Sequence, residues 1–301
     1  MNRYAIVIPA YNASASVGET VDSLQANTAL NFISRVILLD DCSVDSTVAV
    51  VRQHWRSTVP LEIWSNERNM GERRTVNAAM SRLSEHVEWT FILHADDVVK
   101  PNWLNLYLDA IEALPSTVAT VCSSYDNWWP EEGTIVPGEE KPNAPAVHVP
   151  GTHEHVVATI DKGCWWHISG SAIRNDHFAA VGPFEPDMPQ LGDWEWLLRC
   201  LSKGYGVWYL PRTTMLYRQH ARSVSSGSFR EARDVGERMR ILSLMRDQSF
   251  LTPGEHAARK RRVLAQLARR TLVRLVRRDP EGFKAHARLL MRVALLGGSD
   301  E

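Results

Sequence analysis

The chain has 301 residues, of which 44% are apolar and 23% charged, an ordinary globular mixture that excludes wholesale disorder. Lys and Arg total 34 against 35 Asp and Glu, so total charge does not draw this protein onto nucleic acid. The four cysteines (Cys42, Cys122, Cys164, Cys200) form no CxxC pair, which excludes a zinc ribbon and a dense disulfide framework and fits a reducing cytoplasm.

The opening apolar run is too short for a signal peptide, and no stretch approaches the roughly 18 apolar residues of a membrane span. Tyr4–Pro9 reads as a buried strand. Ser16-Val17-Gly18-Glu19 has the form of a capping box, with Val17, Val21 and Leu24 following at helical spacing. Val36–Leu39 is a second strand ending at Asp40-Asp41, after which Asp45 or Ser46 caps a helix running towards Trp55. Leu61–Trp64 and Trp89–Leu93 are further strands, with a helix over Glu72–Leu83 between them, and Pro101 suits the first turn of another helix. Strands alternating with helices predict an α/β fold, a mostly parallel sheet with helices on both faces. From Pro130 to Gly163 periodicity is lost, which predicts a long loop over a pocket. The segment 259–292 holds Lys260, Lys284 and ten arginines against only Asp279 and Glu281. There Leu264, Leu267, Leu272 and Leu275 recur at near-helical spacing, as in a basic amphipathic helix. Such a helix is either a solvated face packed on the main domain or a surface for anionic lipid.

In open α/β sheets ligands gather at the carboxyl ends of the strands. Three polar clusters fall there, Ala10-Tyr11-Asn12, Asp40-Asp41 and Asp96-Asp97, which predicts one shared pocket. Adjacent carboxylates repel unless a cation lies beside them, and hard oxygens suit Mg²⁺ or Mn²⁺ completed by substrate phosphates. The alternative for Asp96-Asp97 is a helix N-cap pair ahead of Pro101. Asp193 and Glu195 open an apolar helical run, where one acts as a general base or both merely favour the helix dipole. Asn69-Met70-Gly71 with Arg73 and Arg74 offers backbone N–H groups and a guanidinium to a phosphate. Trp128, Trp129, Trp165 and Trp166 could stack on sugar faces or pack a core, and Trp194 and Trp196 share that ambiguity.

Taken in order, these pieces resemble a family 2 inverting glycosyltransferase of the GT-A fold over residues 4–225. The likeness rests on Ile8-Pro9-Ala10-Tyr11-Asn12, Asp40-Asp41-Cys42-Ser43-Val44-Asp45-Ser46-Thr47, Asn69-Met70-Gly71 with Arg74 and Asn77, and Ala95-Asp96-Asp97. It continues through Ser169-Gly170-Ser171, Val181-Gly182-Pro183-Phe184, Gly192-Asp193-Trp194-Glu195 and Tyr217-Arg218-Gln219-His220 with Ser223 and Ser225.

The resemblance implies a GT-A catalytic domain over 1–225, with a nucleotide-sugar half to about residue 100. A helical, basic extension follows over 226–301. It implies that Pro9, Ala10, Tyr11 and Asn12 line a nucleoside pocket, with Asp40 on a uracil or thymine base and Asp41 near it. Asn69, Gly71 and Arg74 fall near the phosphates and Asp96 on the ribose or sugar. Asp97 and His220 hold Mn²⁺ or Mg²⁺, and Asp193 is the base. Gly170, Ser171, Trp165, Trp166, Trp194 and Glu195 would shape the donor and acceptor pocket. The implied partners are a nucleotide-sugar and a glycan or lipid-linked acceptor, with no nucleic acid. The implied location is the cytoplasm or the inner face of an anionic membrane touched through 259–292. Two departures stand out: His94 replaces the first Asp of a D-x-D motif, and Gly192 replaces the Glu before the base. They keep a second reading open, a nucleotide-sugar-binding scaffold with an impaired site. A glycine-rich triphosphate loop and a GxGxxG turn are both missing after the first strand, against a nucleotidyltransferase and a NAD-dependent oxidoreductase.

Overall fold

The computed structural model describes residues 2–141, 143–219 and 231–296. Four parallel strands form its first half: β1 (Asn2–Ala10), β2 (Arg35–Asp40), β3 (Leu61–Ser65) and β4 (Val87–Ile92), in the spatial order β3-β2-β1-β4. The inner three read as near-continuous apolar runs because both faces are covered: Ile6, Ile8, Ile37 and Phe91 have no exposed surface. Helices α1 (Val17–Gln25), α2 (Thr47–His54) and α3 (Glu72–Leu83) supply the crossovers. Pro101 lies in the turn before α4 (Trp103–Ile111) rather than in its first turn.

The second half reverses the pattern. Strand β9 (Ser171–Arg174) enters antiparallel between β4 and β6 (Val118–Trp129), and β6 runs parallel to β10 (Gly206–Arg218). The short β5 (Val98–Val99) closes that edge against β10. The sheet is thus mixed, with two parallel blocks joined through one antiparallel strand.

The expected loop over 130–163 carries structure of its own. Strand β7 (Thr134–Val136) folds back on β6, and β8 (Val147–Val149) pairs with β10. Helix α5 (His153–Lys162) then starts where the Thr152 hydroxyl accepts the His155 amide. Three-residue strands are too short to show a period, which hid them in the sequence. The expected capping box at Ser16 is also not formed. Ser16 Oγ instead donates to the Ala95 carbonyl at 2.9 Å and Glu19 pairs with Arg218, so both side chains tie α1 to the site.

Helices α6 (Asn175–Val181) and α7 (Gly192–Ser202) follow β9. The C-terminal extension is helical as expected, with α8 (Arg233–Asp247), α9 (Pro253–Val276) and α10 (Pro280–Leu296). Ile241, Leu242, Met245, Val263 and Leu267 share one apolar core with Val7, Trp166 and Trp196, so α8 and α9 are packed on the sheet domain. The apolar stripe expected on α9 divides: Leu267 is buried, whereas Leu272 and Leu275 face solvent. All four cysteines are unpaired.

Candidate active site

The carboxyl ends of β1, β2 and β4 lie side by side, because β1 is parallel to both neighbours. The first two ends are stitched together. Asn12, at a left-handed φ of 50°, accepts the Val44 amide on its side chain at 2.9 Å and donates its own amide to Ser43 Oγ at 2.9 Å. Ala13 donates to Thr47 Oγ1 at 2.8 Å, and Ser14 to Asp45 Oδ2 at 3.1 Å. Those bonds, led by Thr47, outweigh burial and hold the Asp45 carboxyl down at about 2. The segments 10–14 and 40–47 therefore form one rigid floor.

Asp40 is buried and accepts the Ser43 amide at 3.2 Å. Asp41 is a buried hub. Its two oxygens accept from the Met70 and Gly71 amides and from Asn66 Nδ2, each at 2.8 Å, and from Thr75 Oγ1 at 3.0 Å. It thereby fixes the Asn69-Met70-Gly71 turn, whose Gly71 sits at φ 86°, and the start of α3. Asn69 accepts the Gly71 amide at 3.1 Å. Tyr11 is half-exposed beside this floor.

The third strand end carries the charged centre. One ligand atom from each of His94, Asp96 and Asp97 lies within 4.8 Å of the others. Asp97 is fully buried and accepts Ser169 Oγ at 2.6 Å and the Arg218 amide at 3.0 Å. Burial, reinforced by Asp96, pushes the Asp97 carboxyl up to about 7. His94 Nε2 lies 3.4 Å from Glu72 Oε1, which in turn lies 3.3 Å from Arg73 Nη1. Burial opposes a charge on His94, but Glu72 and then Asp97 and Asp96 lift it to about 9. Burial likewise opposes a charge on Glu72, yet His94 and Arg73 hold it well below the usual carboxylate range.

Asp193 lies on the first turn of α7. Tyr125 is near enough to feel both acids: its phenol is raised by burial first, then by Cys164, Asp193 and Asp97. Tyr125 packs on His167 and Tyr217, whose rings are 4.6 Å apart. Asp193 also acts on His167, which burial and then His94 push towards its neutral form. The loop before α7 is held by Glu237 of α8, whose carboxylate accepts the Gln190 amide at 3.1 Å and the Leu191 amide at 2.6 Å.

The remaining expected site residues are placed differently. Glu195 is buried and takes both Nε and Nη2 of Arg199, at 2.9 and 2.8 Å, so of the two acids on α7 only Asp193 is left for chemistry. Trp166 and Trp194 are core residues, not pocket walls. Trp166 stacks on Trp196 at 5.3 Å and donates to Thr120, while Trp194 donates to the Thr159 carbonyl. Trp165 is partly buried, packs against the same core and donates to Thr159 Oγ1. Ser171 is fully buried and bonds the Ile168 carbonyl, and Gly170, at φ 76°, accepts from Trp103. Their neighbour Ser169 is the one that joins the site, through Asp97. Arg74 is exposed and pairs with Asp187 at 3.0 Å; Arg73 is the buried one. His220 lies outside the described residues, as do Ser223 and Ser225. Arg218 brings β10 to the acidic pair, bonding Asp97 through its amide and the Asp96 carbonyl through Nε at 2.7 Å. Sequence reasoning missed Glu72, Tyr125, His167 and Glu237. The signal for Glu72 was its place directly after the Asn69-Met70-Gly71 turn.

Comparisons with known proteins converge on one family. Residues 5–157 match the model of Glycosyl transferase family 2. An uncharacterized glycosyltransferase of Haemophilus influenzae is 34% identical over 114 residues, 37% of this chain and 35% of that protein. The succinoglycan biosynthesis protein ExoO of Rhizobium meliloti is 26% identical over 113 residues, 38% of this chain and 31% of the relative. The chain thus spans about a third of the length of these relatives. Among solved structures, S. aureus TarS 1–349 in complex with UDP-GlcNAc superposes with a TM-score of 0.60 at 14% identity, covering 98% of this chain and 92% of that one. The mannosyltransferase PcManGT from Pyrobaculum calidifontis, in complex with GDP-Man and Mn²⁺, gives 0.59 at 14% identity, covering 99% and 88%. Those likenesses give the fold, a GT-A sheet with flanking and C-terminal helices. Since the family model spans half the sequence and covers the floor and acidic pair just described, the chain belongs to glycosyl transferase family 2.

Proposed function

We propose that this chain is an inverting glycosyltransferase, moving a sugar from a nucleotide-diphospho-sugar to a hydroxyl of a glycan or lipid-linked acceptor. The observation that carries this reading is that Asp97, from the end of β4, and Asp193, from the start of α7, act on one and the same tyrosine, Tyr125. That shared neighbour supports a reading in which two carboxylates from distant stretches of sequence serve one site.

The nucleoside would rest on the floor of Pro9, Ala10, Tyr11, Asn12 and Asp40. Asp41 would act through the turn it holds rather than by contact. UDP is the favoured donor nucleotide and dTDP the next. The UDP-GlcNAc complex of the TarS structure supports this, while PcManGT holds GDP-Man on the same fold. Asp193 would accept the proton of the acceptor hydroxyl as its oxygen attacks the anomeric carbon from the face opposite the diphosphate. The bond to the diphosphate oxygen breaks in the same displacement, through an oxocarbenium-like state, and the anomeric configuration inverts. Arg73 would bring positive charge to the side where the diphosphate leaves.

The donor set fits a divalent cation. An imidazole and two carboxylates within one coordination sphere suit Mn²⁺ better than Mg²⁺. Both oxygens of Asp97 accept a hydrogen bond, and each keeps a further lone pair. His94, Asp96 and Asp97 would hold the ion, with His220 as a further ligand. When bound, it supplies charge stabilisation to the departing diphosphate.

The setting read from this chemistry is bacterial polysaccharide or glycoconjugate synthesis in the cytoplasm or at the inner membrane face. The name of the Rhizobium relative supports it. A thermal-shift panel of nucleotide-sugars with and without Mn²⁺ tests the donor. UDP-sugars should raise Tm most, and more strongly with the metal. Stabilisation by no nucleotide-sugar, or full transfer by Asp193→Asn, would refute the reading.

A further inference from the structure

Helix α9 has two faces of opposite character. At 100° per residue, His256, Val263, Leu267 and Thr271 fall on one side, and all four are buried. The arginines on that side are neutralised: Arg259 pairs with Asp161, Arg270 with Asp234 and Arg274 with Asp279.

The opposite side is apolar and cationic at once. Leu272, Val273, Leu275 and Val276 are 62%, 41%, 56% and 81% exposed. Four exposed branched side chains in five residues are unusual for a solvated helix face. Arg261, Arg262 and Arg269 lie on the same side. Among the described residues no carboxylate lies within ion-pair distance of these three. No helix of the described residues is long and apolar enough to cross a membrane.

We propose that this side of α9 docks on the surface of an anionic lipid bilayer. The charge pattern selects that occupant. A two-fold pairing of the face with a second copy would set unpaired arginines against arginines, because such an interface meets itself. A nucleic-acid backbone would satisfy the arginines but leave the leucine and valines with nothing apolar to enter. A bilayer with anionic headgroups answers both features, the guanidinium groups lying at phosphate level and the side chains below it. The surface rests on its own geometry and does not depend on the transfer chemistry proposed for the cleft.

Vesicle flotation of the full chain without nucleotide-sugar tests it. The chain should float with phosphatidylcholine vesicles containing phosphatidylglycerol and not with phosphatidylcholine alone. Arg262→Gln with Arg269→Gln should weaken binding roughly 25-fold, about fivefold per arginine. Leu272→Ser with Val276→Ser should weaken it at least about tenfold. Both double variants should keep the Tm and the nucleotide-sugar turnover of the parent. That retention separates this proposal from the one for the cleft. Three results would each overturn it: no flotation of the parent with anionic vesicles; flotation undiminished in both variants; or, by light scattering, a dimer that Leu272→Ser/Val276→Ser splits while vesicles stay unbound.

Discussion

Asp193 and Glu195 stand two residues apart on the first turn of α7, and the structure separates their roles sharply enough to predict opposite phenotypes. The Glu195 side chain is 9% exposed and locked to Arg199 by two parallel bonds, and Arg199 also donates to the Val181 and Pro183 carbonyls. Glu195→Gln leaves that guanidinium buried with half its compensation, a change that costs about 3 kcal/mol in comparable buried pairs. At roughly 2–4 °C per kcal/mol, Tm should fall by about 6–12 °C. Well below that temperature, turnover should stay within about threefold of the parent, since no oxygen of Glu195 is left to meet a substrate.

Asp193→Asn should do the reverse. Among the described residues its carboxylate accepts one hydrogen bond, from the amide of Trp194, next in the chain, at 2.9 Å, so Tm should move by about 1 °C or less. Removing a general base costs about 10²–10⁴ in rate, and that loss should fall on kcat with donor affinity retained. The two variants are compared by thermal unfolding and by release of nucleoside diphosphate with acceptor present. If Glu195→Gln lost turnover while Asp193→Asn kept it, the assignment of the base would be wrong.

Three further outcomes follow from the same geometry. Asp41→Asn swaps an acceptor for an amide facing the N–H groups of Met70 and Gly71, so stability should fall by about 2 kcal/mol and the KM for the donor should rise, read by urea unfolding and initial rates. Asp45 is held at about 2 against its ordinary 3.8, so its contribution is present above pH 4 and disappears as pH falls through 2; Asp45→Asn should flatten that acid limb. Because Asp45 is exposed, the loss at neutral pH should stay below about 1 kcal/mol. Exhaustive chelation should abolish transfer and Mn²⁺ restore it, and His94→Ala should weaken Mn²⁺ binding at least about tenfold by calorimetry.

The parallel half of the fold was legible because central parallel strands are apolar on both faces. Val36–Leu39 and Trp89–Leu93 could be read without ambiguity, and each ended at an acidic pair. The antiparallel β9 gave no such signal: Ser171–Arg174 is four residues long, and Gly170 and Ser171 at its start read as pocket residues. The tryptophans misled for a related reason. An indole NH needs a buried acceptor, and Thr120 and the Thr159 carbonyl provide it from elements 46 and 35 residues away in sequence. Ser16 and Glu19 had the local spacing of a capping box, but Ala95 and Arg218 compete for them, and tertiary partners are invisible to a local pattern. The acidic pair and Asp193 were legible as residues. The anchoring of the Asp193 end of α7 was not, since it depends on Glu237 of α8 holding the loop that leads into that helix.

The two departures from the family pattern resolve into one arrangement. A Cβ on Gly192 would lie 3.2 Å from the Glu185 carbonyl, a tight approach, and in ordinary contact with Arg73 Nε at 3.5 Å, so the Arg73 guanidinium borders the position where a glutamate side chain would begin. Arg73 is paired with Glu72, and Glu72 with His94, the residue standing in place of the first aspartate. One dipeptide at the start of α3 therefore answers both substitutions. A glutamate is lost beside the base and an aspartate beside the acidic pair, while Glu72 supplies a carboxylate and Arg73 fills the gap. A site decaying into a scaffold would leave buried charges without counter-charges, at a cost of several kcal/mol each. Here the replacement charges are mutually compensated, and Asp193 keeps its place. That pattern is the one expected of a working site rebuilt around a different set of ionisable groups.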